Sequence, residues 1–329
     1  VSALLATAAL ALLVAAGFAA LVSASVSLAW RLVRGRRERL HPVWRARVAM
    51  ALALAPSLAP LALVALILAP GLAGALGLAP DHCLSHGEHV HLCFAHPRAA
   101  LTLPLAAFLA LGAGGLVVAV ARRAGRIAGW QRWLARMRRG AGQPLAAGVR
   151  LIPSERPFSV TVGLWRPEVW VSSALVARLA PAQLETVLAH ERAHVGRRDT
   201  LRRMVAHALS WPLWPRTRSA LLAELALASE QVCDAEAARR VGDRLGVAET
   251  IVSVERMLAQ APPVRHPAWA AFGDSDVAQR VHALVAHGDR EPLRASAWLA
   301  VATLATAWLA MQPLHHATEH VLGWLLRAR

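Results

Sequence analysis

Tyrosine and lysine are absent from this chain of 329 residues, which holds only 20 acids and three cysteines. Without tyrosine, no phenol is available to stabilise an oxyanion, and that duty passes to a histidine or an arginine. Without lysine, arginine supplies all 36 basic residues. Together with abundant Ala, Leu and Gly, this points to a GC-rich coding sequence more than to a physical demand.

The most informative shortage is of charge. Val1–Trp30, Val48–Leu78, Ala99–Ala121 and Ala295–Leu314 contain no charged residue, and 56% of the chain is hydrophobic. A helix needs about 20 apolar residues to cross a bilayer, so four blocks of this kind exclude a soluble protein. Pro56, Pro60 and Pro70 interrupt the second block, as a membrane helix tolerates when neighbours satisfy the freed carbonyls. The first block has no basic stretch before it and is long, so it reads as a retained span, not a cleaved signal.

Arginine sets the expected orientation. The stretch 31–47 carries seven Arg against one Glu, and 122–150 carries eight Arg and no acid, whereas 80–99 has Arg98 alone. By the positive-inside rule the first two are cytoplasmic and the third lies outside. The net charge of +16 is therefore no sign of direct nucleic-acid binding. Much of it borders membrane spans, where it faces the anionic inner leaflet of the lipid bilayer. The expected organisation is a mainly α membrane protein: helix 1 over 1–30, a cytoplasmic Arg-rich loop over 31–47, helix 2 over 48–78 and an extracytoplasmic Cys/His-rich loop over 79–99. Helix 3 over 100–121, a basic linker over 122–148, a cytoplasmic α+β domain over 149–292, helix 4 over 295–314 and a short outside tail over 315–329 complete it.

Within the cytoplasmic domain, His190-Glu191-Arg192-Ala193-His194 places two imidazoles four residues apart, on one helix face. Two neutral histidines so placed can grip one Zn2+, and the intervening carboxylate can take a proton from the attacking water. Pro181 opens the helix that runs into this motif. A catalytic zinc takes a third protein ligand, for which Glu230 is the candidate, with Glu224 and Glu236 competing. Asp234, one turn beyond Glu230, can accept the outward N–H of a ligating histidine. Cys233 reads as a small buried hydrophobe. His207 and Arg240 are the leading candidates for oxyanion stabilisation, with Arg239 and Arg280 behind them.

Short strands are expected over 149–152, 158–162 and 168–171, with turns at Pro153-Ser154 and Arg166-Pro167. Ser172 or Ser173 caps the short helix that follows, Asp199 caps the helix carrying His207, and 276–286 forms a further helix. The stretch 140–144 reads as a linker. Cys83 and Cys93, both in the outside loop, are placed for a disulfide. Five histidines share that loop and three more lie in the tail. They are either a second metal site, since imidazole suits zinc, copper and nickel, or interfacial polar groups; metal titration of a loop peptide separates the two.

The run 189–199 around the motif, Trp211-Pro212, the run 230–238 and the upstream run 156–167 together resemble the integral-membrane zinc metallopeptidases of the BlaR and MecR antirepressor group. The likeness is close over about 150–290. It implies a gluzincin-like domain with His190, His194 and Glu230 as zinc ligands, Glu191 as base and Asp234 in support. It also implies a protein substrate, a cytosolic winged-helix repressor of the BlaI or MecI type, held along an edge strand. Familiar members carry a penicillin-binding sensor after the fourth span, and only His315–Arg329 follow it here. A signal is therefore expected through the outside loop, the tail, the spans or a partner. The alternatives are an HtpX-like quality-control protease and a non-catalytic transducer that senses a metal or ligand.

Overall fold

A computed structural model of the chain describes residues 2–35, 40–78, 101–140, 142–260 and 277–286, with isolated positions between 313 and 320. The loop with Cys83 and Cys93 and nearly all of the fourth apolar block lie outside the described residues. Three helices, α1 (Ser2–Val33), α2 (Pro42–Ala75) and α3 (Leu103–Gly140), are long and apolar enough to cross a membrane.

All three helices extend past their uncharged blocks, α1 as far as Val33 and so past Arg31. Pro42 at the first helical position and the His41 ring, which accepts the Val43 N–H, start α2 early enough to include Arg45 and Arg47. The expected loop over 31–47 is shortened accordingly. Helix α3 runs through the arginines expected to form a linker, because Trp130, Trp133, Leu134 and Met137 recur at helical spacing. This stripe packs against Ile152, Val162 and Trp170 of a small sheet.

The sheet comprises β1 (Gln143–Ala146), β2 (Val149–Ile152), β3 (Ser159–Val162) and β4 (Glu168–Ser172), in the order β1-β2-β4-β3. The central β2–β4 pair is parallel and both flanking pairs are antiparallel. Strand β1 falls where a linker was expected. All four of its residues are exposed, so it has no burial alternation to read, and it exists by pairing with β2 across a turn where Gly148 takes φ +71°. At the β3–β4 turn Gly163 takes φ +100°, and a Cβ there would lie 2.6 Å from the Arg166 carbonyl oxygen.

Alternation along the strands separates two faces. Val160, Val162 and Trp170 belong to the cluster with α3. Val149, Val169 and Val171 pack with Leu188 and Val195 of α5 (Pro181–Arg197). Between sheet and α5, α4 (Ser173–Arg178) is capped by Ser172, whose hydroxyl accepts the Leu175 N–H.

Beyond α5 come α6 (Asp199–Leu209), α7 (Pro215–Val241), α8 (Arg244–Ala259) and α9 (Val277–Ala286). Helix α7 is shared between the long apolar helices and α5. Its Leu221, Leu225 and Ala228 join Val26 and Trp30 of α1 and Ala46 and Ala49 of α2 in one apolar cluster. Alanines on α2 let the backbones approach closely. Another side of α7 meets α5, and this junction builds the site.

Candidate metal centre

The two histidines project from α5 towards α7, as their four-residue spacing requires. Their Nε2 atoms are 3.1 Å apart. Glu230 comes across from α7, its Oε2 3.3 Å from His190 Nε2 and its Oε1 3.5 Å from His194 Nε2. His190, His194 and Glu230 thus form one group able to hold a metal ion. Tetrahedral zinc with bonds of about 2.0–2.1 Å separates its ligand atoms by about 3.3–3.4 Å, so these separations, with the two rings meeting different oxygens of Glu230, are of the order that ion needs.

The surrounding hydrogen bonds favour the same fit. His190 Nδ1 donates to Asp234 Oδ1 at 2.8 Å, and His194 Nδ1 donates to Asp199 Oδ2 at 2.9 Å. Carboxylates only accept, so each ring keeps a proton on Nδ1 and turns an Nε2 lone pair towards Glu230 and the other ring. With both rings neutral three acceptors converge, and positive charge between them, a proton or a metal ion, satisfies the cluster. Burial disfavours charge on both rings, yet Asp234 and Glu230 raise the pKa of His190, and Glu230, Cys233 and Asp199 raise that of His194. Burial likewise opposes ionisation of Glu230, but the two histidines hold its carboxyl well below the usual range.

Two arginines steady the carboxylates. Arg203 of α6 donates to Glu230 Oε1 at 2.6 Å. Arg280 of α9 grips Asp234 with two bonds, at 2.8 and 2.6 Å, and overcomes the burial that would raise the Asp234 pKa.

Glu191 turns from the histidine face onto β3. Its Oε1 accepts from Ser159 Oγ at 2.9 Å and its Oε2 from Thr161 Oγ1 at 2.8 Å. These hydroxyls alternate onto the α5 side of an edge strand, so β3 fixes the orientation of a carboxylate that is only 4% exposed.

Several residues stand apart from their expected surroundings. Asp199 does not cap α6. The cap position is Arg198, in the left-handed region at φ 53°, ψ 43°, and this sharp turn between α5 and α6 leaves the Asp199 carboxylate on His194. Cys233 is buried, but its Sγ lies 3.3 Å from His194 Nδ1 and 3.6 Å from Asp199 Oδ2 rather than among apolar groups only. His194, Asp199 and Cys233 form a second group able to hold a metal. It suits an ion less well, because His194 Nδ1 is already engaged with Asp199 and burial pushes the Cys233 thiol pKa up.

The competing acids are occupied elsewhere: Glu224 pairs with Arg45 at 2.6 Å and the half-buried Glu236 pairs with Arg239. Arg240 is exposed near the end of α7, about 15 Å along the helix from Glu230 at 1.5 Å per residue. His207 is exposed on α6, one turn beyond Arg203. Arg280 is bonded to Asp234 and also lies 3.8 Å from Glu230 Oε2 and 4.0 Å from Glu255 Oε1.

Arg203, Ser159 and Thr161 went unassigned from the sequence, and Asp199 was expected to cap α6, not to meet His194. The only signal for the hydroxyls was the alternation of β3, which puts Ser159 and Thr161 on one face. For Asp199 there was none, because its position depends on the Arg198 turn.

Residues 155–284 match the family model described as BlaR1 peptidase M56, a segment that begins before β3 and ends within α9. No curated protein matches the chain, and no solved structure does.

Proposed function

We propose that this chain, which belongs through residues 155–284 to the BlaR1 peptidase M56 family, is a membrane-embedded zinc endopeptidase that acts on a cytosolic protein substrate. The observation that carries this reading is the convergence of His190 Nε2 and His194 Nε2, 3.1 Å apart, on the Glu230 carboxylate, whose Oε2 is 3.3 Å from the first and whose Oε1 is 3.5 Å from the second. Zinc bound by these three residues supplies Lewis acidity to a scissile carbonyl and activates the attacking water.

The chain's own groups do the rest. Asp234 and Asp199 keep both imidazoles in the tautomer that presents Nε2. Glu191 takes the proton of the attacking water on a carboxylate oxygen and delivers it to the leaving amine. Ser159 and Thr161 hold that carboxylate in place. Strand β3 pairs only with β4 among the described strands, so its other edge suits an extended substrate held by main-chain hydrogen bonds. Glu191 is bonded to this same strand through Ser159 and Thr161.

The substrate in this reading is a winged-helix repressor whose cleavage releases transcription, as the antirepressor resemblance implies. The arginine distribution supports an outside N-terminus and a cytoplasmic peptidase region. Co-expression with a suspected repressor tests the assignment: the wild type yields a specific fragment and Glu191→Ala does not. The same fragment from both would overturn it, and a fragment from membrane proteins but never from a repressor would replace signalling with quality control.

A further inference from the structure

Arg45 has no part in the chemistry above, yet it is 5% exposed and lies on the first turns of a helix long enough to span a membrane. Its Nε donates to Glu224 Oε1 at 2.6 Å and its Nη1 donates to Gln231 Oε1 at 2.8 Å. Glu224 and Gln231 are seven residues apart, two turns along one face of α7, and both are 3% exposed. One guanidinium on α2 therefore grips α7 at two levels. That grip fixes the rotation of α7 about its own axis, and with it the direction of Glu230 and Asp234 on the neighbouring face.

A second path starts from the same amide. While its oxygen accepts from Arg45, Gln231 Nε2 donates to the Gln279 carbonyl of α9 at 3.0 Å. The next residue, Arg280, holds Asp234, which accepts from His190 Nδ1 at 2.8 Å. The Gln231 amide fits this chain in one orientation only, because flipping it would set donor against donor and acceptor against acceptor.

We propose that Arg45 is a positioning residue for the metal centre, through which the placement of α2 against α7 sets the affinity of His190, His194 and Glu230 for zinc. The inference rests on the reading of those three residues as zinc ligands. A buried ion pair can often be replaced by apolar residues of similar volume without loss of stability. Such a swap keeps the fold and removes the grip, which separates positioning from mere cohesion.

The test is the zinc dissociation constant of the full chain in detergent, measured by competition with a chromogenic chelator beside its thermal unfolding. Arg45→Met/Glu224→Met is expected to unfold close to the wild-type temperature and bind zinc about 10-fold more weakly, the lower end for loss of an outer-shell partner. Gln231→Leu, which leaves the ion pair intact, is expected to weaken zinc in the same direction, and Arg45→Lys to restore part of what the double variant loses. Wild-type zinc affinity in both Arg45→Met/Glu224→Met and Gln231→Leu overturns the inference. Glu230→Ala separates the two readings. If the wild type takes no zinc, or Glu230→Ala binds as tightly as the wild type, the metal centre is wrong and the inference falls with it. If Glu230→Ala alone loses zinc, the metal centre stands and the positioning role fails.

Discussion

Two of the three long apolar helices reach the peptidase region through the same pair of residue types at the same distance. Arg45 of α2 meets Glu224 with Nε 2.6 Å from Oε1, and Arg138 of α3 meets Glu168 with Nε 2.6 Å from Oε1. Their surroundings differ. The α2 pair is 4% and 3% exposed at the side chains, the α3 pair 33% and 18%. The first leads through Gln231 towards the candidate metal centre. The second lies on the sheet, where Glu168 also accepts from Trp170 and Arg150. Distance alone therefore says little about what an ion pair does; burial and the next partner along decide.

The largest effect is expected where the α2 path ends. Asp234→Ala removes the acceptor for His190 and leaves buried Arg280 with only the longer contacts to Glu230 and Glu255, at 3.8 and 4.0 Å, a loss of about 3 kcal/mol for breaking a buried pair. Zinc affinity should fall about 10–100-fold as well. Unfolding and zinc titration of one preparation check both, and a variant that keeps wild-type zinc affinity would detach Asp234 from the site.

Arg45→Met alone comes next. It leaves Glu224 buried without its guanidinium, and about 3 kcal/mol of stability should be lost. Chemical unfolding in micelles measures this, and a loss under about 1 kcal/mol, the worth of a surface pair, would erase the contrast between the two anchors. Arg138→Met should cost under about 1 kcal/mol and leave zinc binding unchanged. If it weakens zinc as much as Gln231→Leu does, the α3 anchor is coupled to the site after all.

The smallest effect is a pH dependence. Burial alone would raise the Glu168 pKa, but the Trp170 indole N–H, Arg138 and Arg150 hold it below the ordinary glutamate value. A carboxyl depressed in the folded state stabilises the fold above its unfolded pKa and loses that contribution as pH falls through the folded value. The stability gap between the wild type and Glu168→Gln should therefore be steady at neutral pH and close in acid below about pH 4.5. A gap that widens in acid would contradict the assigned contacts.

Much of this was legible in the sequence. The uncharged blocks located α1, α2 and α3, and the helical period around His190 and His194 set both on one face. Glu230 and Asp234, one turn apart on a second helix, were separable from Glu224 and Glu236 only by resemblance. The structure separates them by contact, placing Glu224 on Arg45 and Glu236 on Arg239. The illegible parts share a cause. Asp199 reaches His194 only because Arg198 adopts a left-handed turn, Arg280 reaches Asp234 from α9, and Arg45 comes from a membrane helix. No local period encodes contacts set by tertiary packing. Strand β1 was missed because, exposed throughout, it exists only by pairing.

The central claim is that His190, His194 and Glu230 hold the ion, and zinc-edge X-ray absorption of the full chain loaded with one equivalent tests it directly. The spectrum should fit nitrogen and oxygen neighbours alone, at about 2.0–2.1 Å. A sulfur neighbour at about 2.3 Å would move the ion to His194, Asp199 and Cys233 and contradict the account.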